Sequence, residues 1–477
     1  MVMRFETGLL NPYIPSNSRP WNKRLAAHLL SRTMFGAKVS DINYVLSLTP
    51  DEAVELLFQQ LPLPNPPGEW VTYPPNYGDP LNGSRMRTLI YWWLREMYLQ
   101  PISFREKMVL FWHNHFTSQA SVVKIPQHMY IQNTLFRSNV FGNFKSLTKA
   151  VTRDPAMLYF LDGRLNTVNN PNENYSRELL ELFTIGIGNY TETDIQEGAR
   201  ALTGWRINGL VSEFVPSRHD NGIKTYLGET GNFDDEDVVD IIFTKHQTAI
   251  TFCKKLYSNF INQKSDMSYA EDVIEEMADI LRDSNYELLP LLKKLFKSQL
   301  FFSENVINSV YKSPVDTFMA GIRQMNITLN ITNLNTNFPY VSNESSNAGQ
   351  FLLEPPSVQG WTGYRDWLNT LSLPVRNSFL ESIITGLKKD NTPTGFSVNP
   401  VTFAMTFPYP NDAVKLVNDI CEHMIRISLS PKQKDLLLLT LLDGSAVYDW
   451  DINAPEAPAR IKKFLKAVIY LAEYQLT

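Results

Sequence analysis

Cysteine is nearly missing from this chain of 477 residues: there are two, Cys253 and Cys421, each inside an apolar helical pattern. Far apart and embedded in hydrophobic sequence, they read as two buried thiols, not a disulfide. Long apolar runs are missing as well. None approaches the roughly 18 residues that a membrane span requires, so no span is expected. The amino terminus, Met1-Val2-Met3-Arg4-Phe5-Glu6, lacks a basic stretch followed by an apolar one. No secretory signal is legible there, and the simplest expectation is a cytoplasmic protein, with export beside a partner left open. A basic stripe is also lacking. The net charge of −5 is spread along the chain, which argues against a nucleic-acid partner. No phosphate-binding glycine loop, dinucleotide fingerprint, His-Glu-x-x-His pair or Gly-x-Ser-x-Gly elbow occurs, which disfavours the commonest nucleotide, zincin and serine-hydrolase chemistries.

What is present is helix. Hydrophobic residues make up 43% of the chain, enough for a sizeable core, and they recur at helical spacing. The pattern predicts an all-α fold: a main helical domain over 1–325, a polar loop over 326–349 rich in Asn, Ser and Thr, and a C-terminal helical extension over 350–477 on the same body. Thr49-Pro50, Asp154-Pro155 and Ser430-Pro431 each place a capping side chain before a first-turn proline. Ser103 and Glu106 have the spacing of a capping box for the second of two aromatic helices between Arg85 and Phe116. Residues 61–84, dense in proline and glycine, read as a surface excursion. Residues 206–232 alternate and carry turn residues, predicting a small β-hairpin-like insertion.

The stretch from Asn172 to Arg206 carries polar residues that the apolar pattern does not explain. With Tyr175, Leu179, Leu182 and Phe183 buried, Asn174, Glu178 and Glu181 fall on another face of one helix at i, i+4 and i+7. After Gly186-Ile187-Gly188, Thr191 and Asp194 form a shortened capping box for a second helix, whose Glu197 and Arg200 face aside. Acids beside Arg177 and Arg200 are either an ion-pair network pinning two helices or a metal or acid–base site. Histidine is scarce, at seven. His113 and His115 share one helix but point about 200° apart, so they reach a common ion only if the helix ends after Asn114. His219-Asp220 sits in the insertion as a turn or as two ligands. His28, His128 and His423 read as ordinary surface or half-buried residues.

Seven ordered segments carry a family resemblance. They are Arg24–Ala37, Phe111–Phe116, Arg153–Leu158, Asn172–Phe183, Tyr190–Trp205, His219-Asp220 and Pro355–Trp361, with Gly363 and Trp367 behind. Together they resemble the bacterial family catalogued as the domain of unknown function numbered 1800, from about residue 20 to the end of the chain. Ser176 stands where that family commonly has alanine, and Thr362 where proline is usual. The resemblance implies a neighbour similar to sulfatases and alkaline phosphatases, and hence work on an envelope substrate or a helper role for that enzyme.

Three functions are therefore weighed. The first is a metal-assisted hydrolase. His113, His115, His219 and Asp220 would be ligands to a divalent transition metal, Glu178 or Glu181 a ligand or general base, and Arg177 or Arg200 a stabiliser of developing charge. The second is a non-catalytic accessory or binding protein for the sulfatase- or phosphatase-like neighbour. The third is a metal-free glycan-cleaving enzyme using paired carboxylates.

Overall fold

The computed structural model describes residues 8–263 and 270–477. Among these residues it is 56% helical, with 22 helices and two small antiparallel two-stranded sheets, so the all-α expectation holds. No described helix is long and apolar enough to cross a membrane. Both cysteines are buried and free.

The core is organised by the aromatic helix Arg105–His115. Phe104, Phe111, Trp112 and Phe116 are buried on it, and Trp112 stacks on Phe252 at 5.6 Å between ring centres. Phe252 in turn stacks on Phe144 at 4.0 Å. These rings bring Phe144–Thr152 and His246–Phe260 against the central helix. Offset and edge contacts of this kind add about 0.5–1.5 kcal/mol per pair beyond area burial. The buried apolar residues form one cluster running from Leu10 to Tyr474, so the C-terminal helices share the core of the rest.

Local signals placed many helix starts correctly. Thr49 accepts from the Glu52 amide at 3.2 Å ahead of Pro50–Leu57, and Thr191 from the Asp194 amide at 3.2 Å ahead of Glu192–Ala201. Asp154 and Ser430 cap Pro155–Phe160 and Pro431–Leu442 in the same way. The expected insertion is there: Trp205–Asn208 pairs with Val211–Phe214, and Lys224–Tyr226 with Glu229–Gly231. Tyr226 is buried against the helix Glu192–Ala201 at Gly198, where a Cβ would lie 2.9 Å from the ring. The Ser176 hydroxyl donates to the Ile195 carbonyl at 2.8 Å, which gives this departure from the family pattern a role in joining the two helices.

Four expectations are corrected. Much of the polar stretch 326–349 is the helix Leu334–Asn347, with Phe338 and Val341 buried among Asn337, Ser342 and Ser345. Its stripe was hidden because three of its five buried members are polar, and Pro339 lies inside it. Asp235–Thr244, capped by Asp234, is a further helix where none was expected. Glu106 does not cap the central helix. It is fully buried and bonds the Arg137 guanidinium at 2.9 and 2.8 Å, while Ser103 alone accepts from the Arg105 amide. His28, His128 and His423 are all fully buried, each ring Nε2 within 2.9–3.0 Å of a backbone carbonyl oxygen. Helical periodicity predicts a helix over 268–282; its first two residues lie outside the described ones, which show Glu271–Asp283.

Candidate ligand site

The central helix ends at His115, and its last turn meets a distant turn of chain. Asn114 Nδ2 donates to the Trp361 carbonyl at 3.2 Å, and its Oδ1 accepts from the Trp361 amide at 2.7 Å. Gly360, before it, has φ of +83°, and a Cβ there would lie 2.7 Å from the Asn114 carbonyl oxygen. Only glycine combines this backbone region with so close an approach. The clamp closes one side of a cavity of about 140 Å³ lined by Arg32, Lys107, Asn114, Asp316, Trp361 and Trp367, among others.

The charges of this wall are buried. Lys107 bonds the half-buried Asp316, and burial pushes the lysine down while Asp316 holds it up. Arg32 gives four hydrogen bonds, to backbone oxygens of Phe260, Ile261, Val306 and Thr477. Burial lowers its pKa against the pull of Asp316, yet a guanidinium bonded to four backbone oxygens stays charged. Its Nε is buried without a partner. Nearby, Lys312 is pushed well down, first by burial and then by Arg426, with Arg376 and Lys107 adding to the repulsion against the pull of Asp316.

Residues 28–476 match the family described as "Protein of unknown function (DUF1800)". The chain belongs to this family. No curated protein and no solved structure matches it. Segments that carried the resemblance meet at the cavity of this DUF1800 protein. Arg32 comes from the opening segment, Asn114 from the central helix, and Trp361 from the Pro355–Trp361 segment.

The acid-bearing segment lies elsewhere. Asn174–Glu178 is α-helical, and Leu179–Phe183 continues it as a π-helical turn, a local feature often found at functional sites. The Lys255 ammonium donates to the Leu182 carbonyl at 2.5 Å and to His115 Nδ1 at 3.2 Å. Enclosure of that ammonium brings its pKa down to about 8, although the stem of the side chain is partly exposed. Glu178 is half-buried and makes no hydrogen bond or ion pair among the described residues; burial, and then the Glu181 charge, push its carboxyl up against the pull of Arg177. Glu181 accepts from the Tyr190 hydroxyl at 2.9 Å. Arg177 is turned outward onto Glu192 and Glu173, at 2.8 and 3.2 Å.

The four expected metal ligands are not brought together. The helix does not fray at Asn114, so His113 and His115 face different ways. His113 packs edge-on to Trp93 at 5.5 Å and against Trp361, and burial lowers its pKa to about 3. His115 packs among Phe111, Phe116, Phe144 and Phe252. In the insertion, His219 Nδ1 lies 2.9 Å from the Thr203 carbonyl. Asp220 is taken by Arg200 at 2.7 Å and by the Gly222 amide at 2.7 Å, and the Arg200 contact holds its pKa down. Arg200 also bonds Glu197 at 2.9 Å, so it fastens the insertion to its helix. Among the described residues, no group of three or more His, Cys, Asp or Glu side chains is placed to hold a metal ion.

The sequence reading passed over Lys107, Asp316 and Lys255. One signal was available: Lys107 and Lys255 each stand directly before apolar residues, Met108 to Phe111 and Leu256-Tyr257. Asp316 carried none, because two residues after a Ser-Pro start an acid is ordinary first-turn chemistry.

Proposed function

We propose that this chain is a binding protein for a small anionic ligand, held in the cavity between the central helix and the turn at Gly360-Trp361. The observation that carries the reading is the charge of the wall. Two buried cations, Arg32 and Lys107, line the cavity together with the half-buried carboxylate of Asp316. An anion there would also relieve the mutual repulsion of Lys107, Lys312, Arg376 and Arg426. At about 140 Å³ the cavity has room for roughly four or five waters at about 30 Å³ each, the scale of a sulfate, a phosphate or a short carboxylate. A sulfate or phosphate ester would suit a helper role beside the sulfatase- or phosphatase-like neighbours that the family resemblance implies.

The test is calorimetric titration of the full chain with phosphate, sulfate and acetate, with glucose as the neutral control. Ser258→Phe, on the cavity wall, fills the space without unpairing a charge. Binding of at least one anion, lost in that variant, is the expected result. No anion binding, or binding unchanged by the filled cavity, refutes the reading.

A second reading rests on Glu178. A half-buried acid with no partner, raised beside a carboxylate that a tyrosine hydroxyl holds, is the pairing that supplies a general acid and a base or nucleophile for glycan cleavage. Release of sugar from aryl glycosides or oligosaccharides, abolished by Glu178→Gln, would support it. Activity that survives the substitution would dismiss it. Metal-assisted hydrolysis through His113, His115, His219 and Asp220 is not carried forward, because these side chains lie in separate surroundings.

A further inference from the structure

A second pocket has the opposite character. It has a volume of about 590 Å³, lies beside the first turns of the helix Asn82–Leu99, and has a surface that is almost entirely carbon. Tyr77, Met86, Ile90, Phe351 and Leu352 supply its walls. Ile90 and Leu352 are buried, and Phe351 is exposed at the mouth. That volume lies within the range of about 300–1,000 Å³ in which proteins hold small molecules.

The pocket is preformed. The proline- and glycine-rich excursion that makes one wall is tied down by three contacts. Tyr77 stacks on Tyr159 at 5.2 Å, Asn82 Nδ2 donates to the Asn76 carbonyl at 2.7 Å, and Arg85 pairs with Asp79 at 2.6 Å. Its charged groups without a partner among the described residues are of one sign. Arg87 and Lys124 line the pocket, are exposed, and have no ion-pair or hydrogen-bond partner among the described residues. The acid lining it, Glu354, is already occupied by the Ser121 amide at 2.8 Å and the Ser121 hydroxyl. The Asn82 side-chain oxygen is buried with no donor among the described residues.

We infer that this pocket binds a medium-chain acyl carboxylate, its hydrocarbon against Met86, Ile90 and Leu352 and its carboxylate between Arg87 and Lys124. Two free cations at the mouth of a carbon-lined pocket complement an anionic head on an apolar tail. They oppose a cationic amphiphile. This site is separate from the anion cavity and does not depend on it.

The experiment is calorimetric titration of the full chain with octanoate, decanoate, dodecanoate, 3-hydroxydecanoate and decylamine, each below its micelle concentration. Affinity should rise about fourfold per added methylene until the pocket is full. Decanoate should bind about tenfold more weakly to Arg87→Glu/Lys124→Glu, the scale of two ion pairs at a rim. Both side chains are exposed and unpaired, so that variant keeps its fold. Met86→Trp, which narrows the pocket, should shorten the chain length at which affinity stops rising, and Ser258→Phe in the other cavity should leave binding unchanged. Failure of every carboxylate to bind would overturn the inference. So would equal binding of decylamine, or indifference to charge reversal. An apolar protein segment as the true occupant would show itself in the same way, as a pocket blind to the charge of its ligand.

Discussion

Asp154 combines two opposed demands, and its substitution by asparagine tests how they balance. As the N-cap of Pro155–Phe160 it accepts from the Met157 amide at 2.9 Å and from Gln132 Nε2 at 2.9 Å, contacts that favour the charged form. It is also buried, and its Oδ1 has no partner. Burial wins and raises the carboxyl from 3.8 to about 7. Between those two pH values the folded chain keeps a proton that the unfolded chain has released. Its contribution to stability is therefore complete below about pH 4 and lost as pH rises through about 7. A rise of roughly three pH units at about 1.4 kcal/mol each makes the loss up to about 4 kcal/mol. Asp154→Asn keeps an oxygen for both donors and places its amide nitrogen where Oδ1 was. That adds a constant cost of about 1–3 kcal/mol for an unsatisfied donor, independent of pH. Urea denaturation of both proteins from pH 4 to 8 isolates the titration, since other groups cancel in the difference. Wild type minus variant should fall by several kcal/mol across this window. Parallel curves, or a wild type that gains on the variant as pH rises, would refute the reasoning.

Three further outcomes are expected. Glu106→Gln strands the Arg137 guanidinium in the core and should cost about 3–5 kcal/mol by denaturant titration, with Glu106→Leu/Arg137→Met regaining most of it. Gly360→Ala combines a left-handed backbone with a clash at Asn114. It should lower stability by about 2 kcal/mol and weaken anion binding, and an unchanged melting temperature would count against the clamp. His113→Ala/His115→Ala should destabilise by about 2–4 kcal/mol per site as core truncations, with the metal content by elemental analysis the same as wild type. Stoichiometric metal lost in a folded variant would reinstate the metal reading.

The features legible in the sequence are those whose partners lie within a few residues. Thr49 with Glu52, Asp154 with Met157, Thr191 with Asp194 and Ser430 with Gln433 each cap a helix across three positions. Hydrophobic period, turn residues and family segments likewise need no knowledge of what packs where, and they determined the all-α class, the insertion and the family. The failures have one source. The helix Leu334–Asn347 exists because Phe338 and Val341 are covered by other parts of the chain, which outweighs its poor composition. Glu106 has the spacing of a cap, but Arg137, 31 positions on, claims it. Glu178 and Asp220 look alike as acids near arginines. Tertiary contacts leave one unpartnered and occupy the other.

The anion cavity belongs wholly to the second class. Asn114 and Trp361 are 247 positions apart, and Lys107 and Asp316 are 209 apart. Sequence determined that these residues would sit on or beside helices, since caps and periodicity act over one or two turns. Tertiary structure alone decided that they surround one space and which charges there go uncompensated, because burial and Coulomb forces depend on distance in space and not on position along the chain.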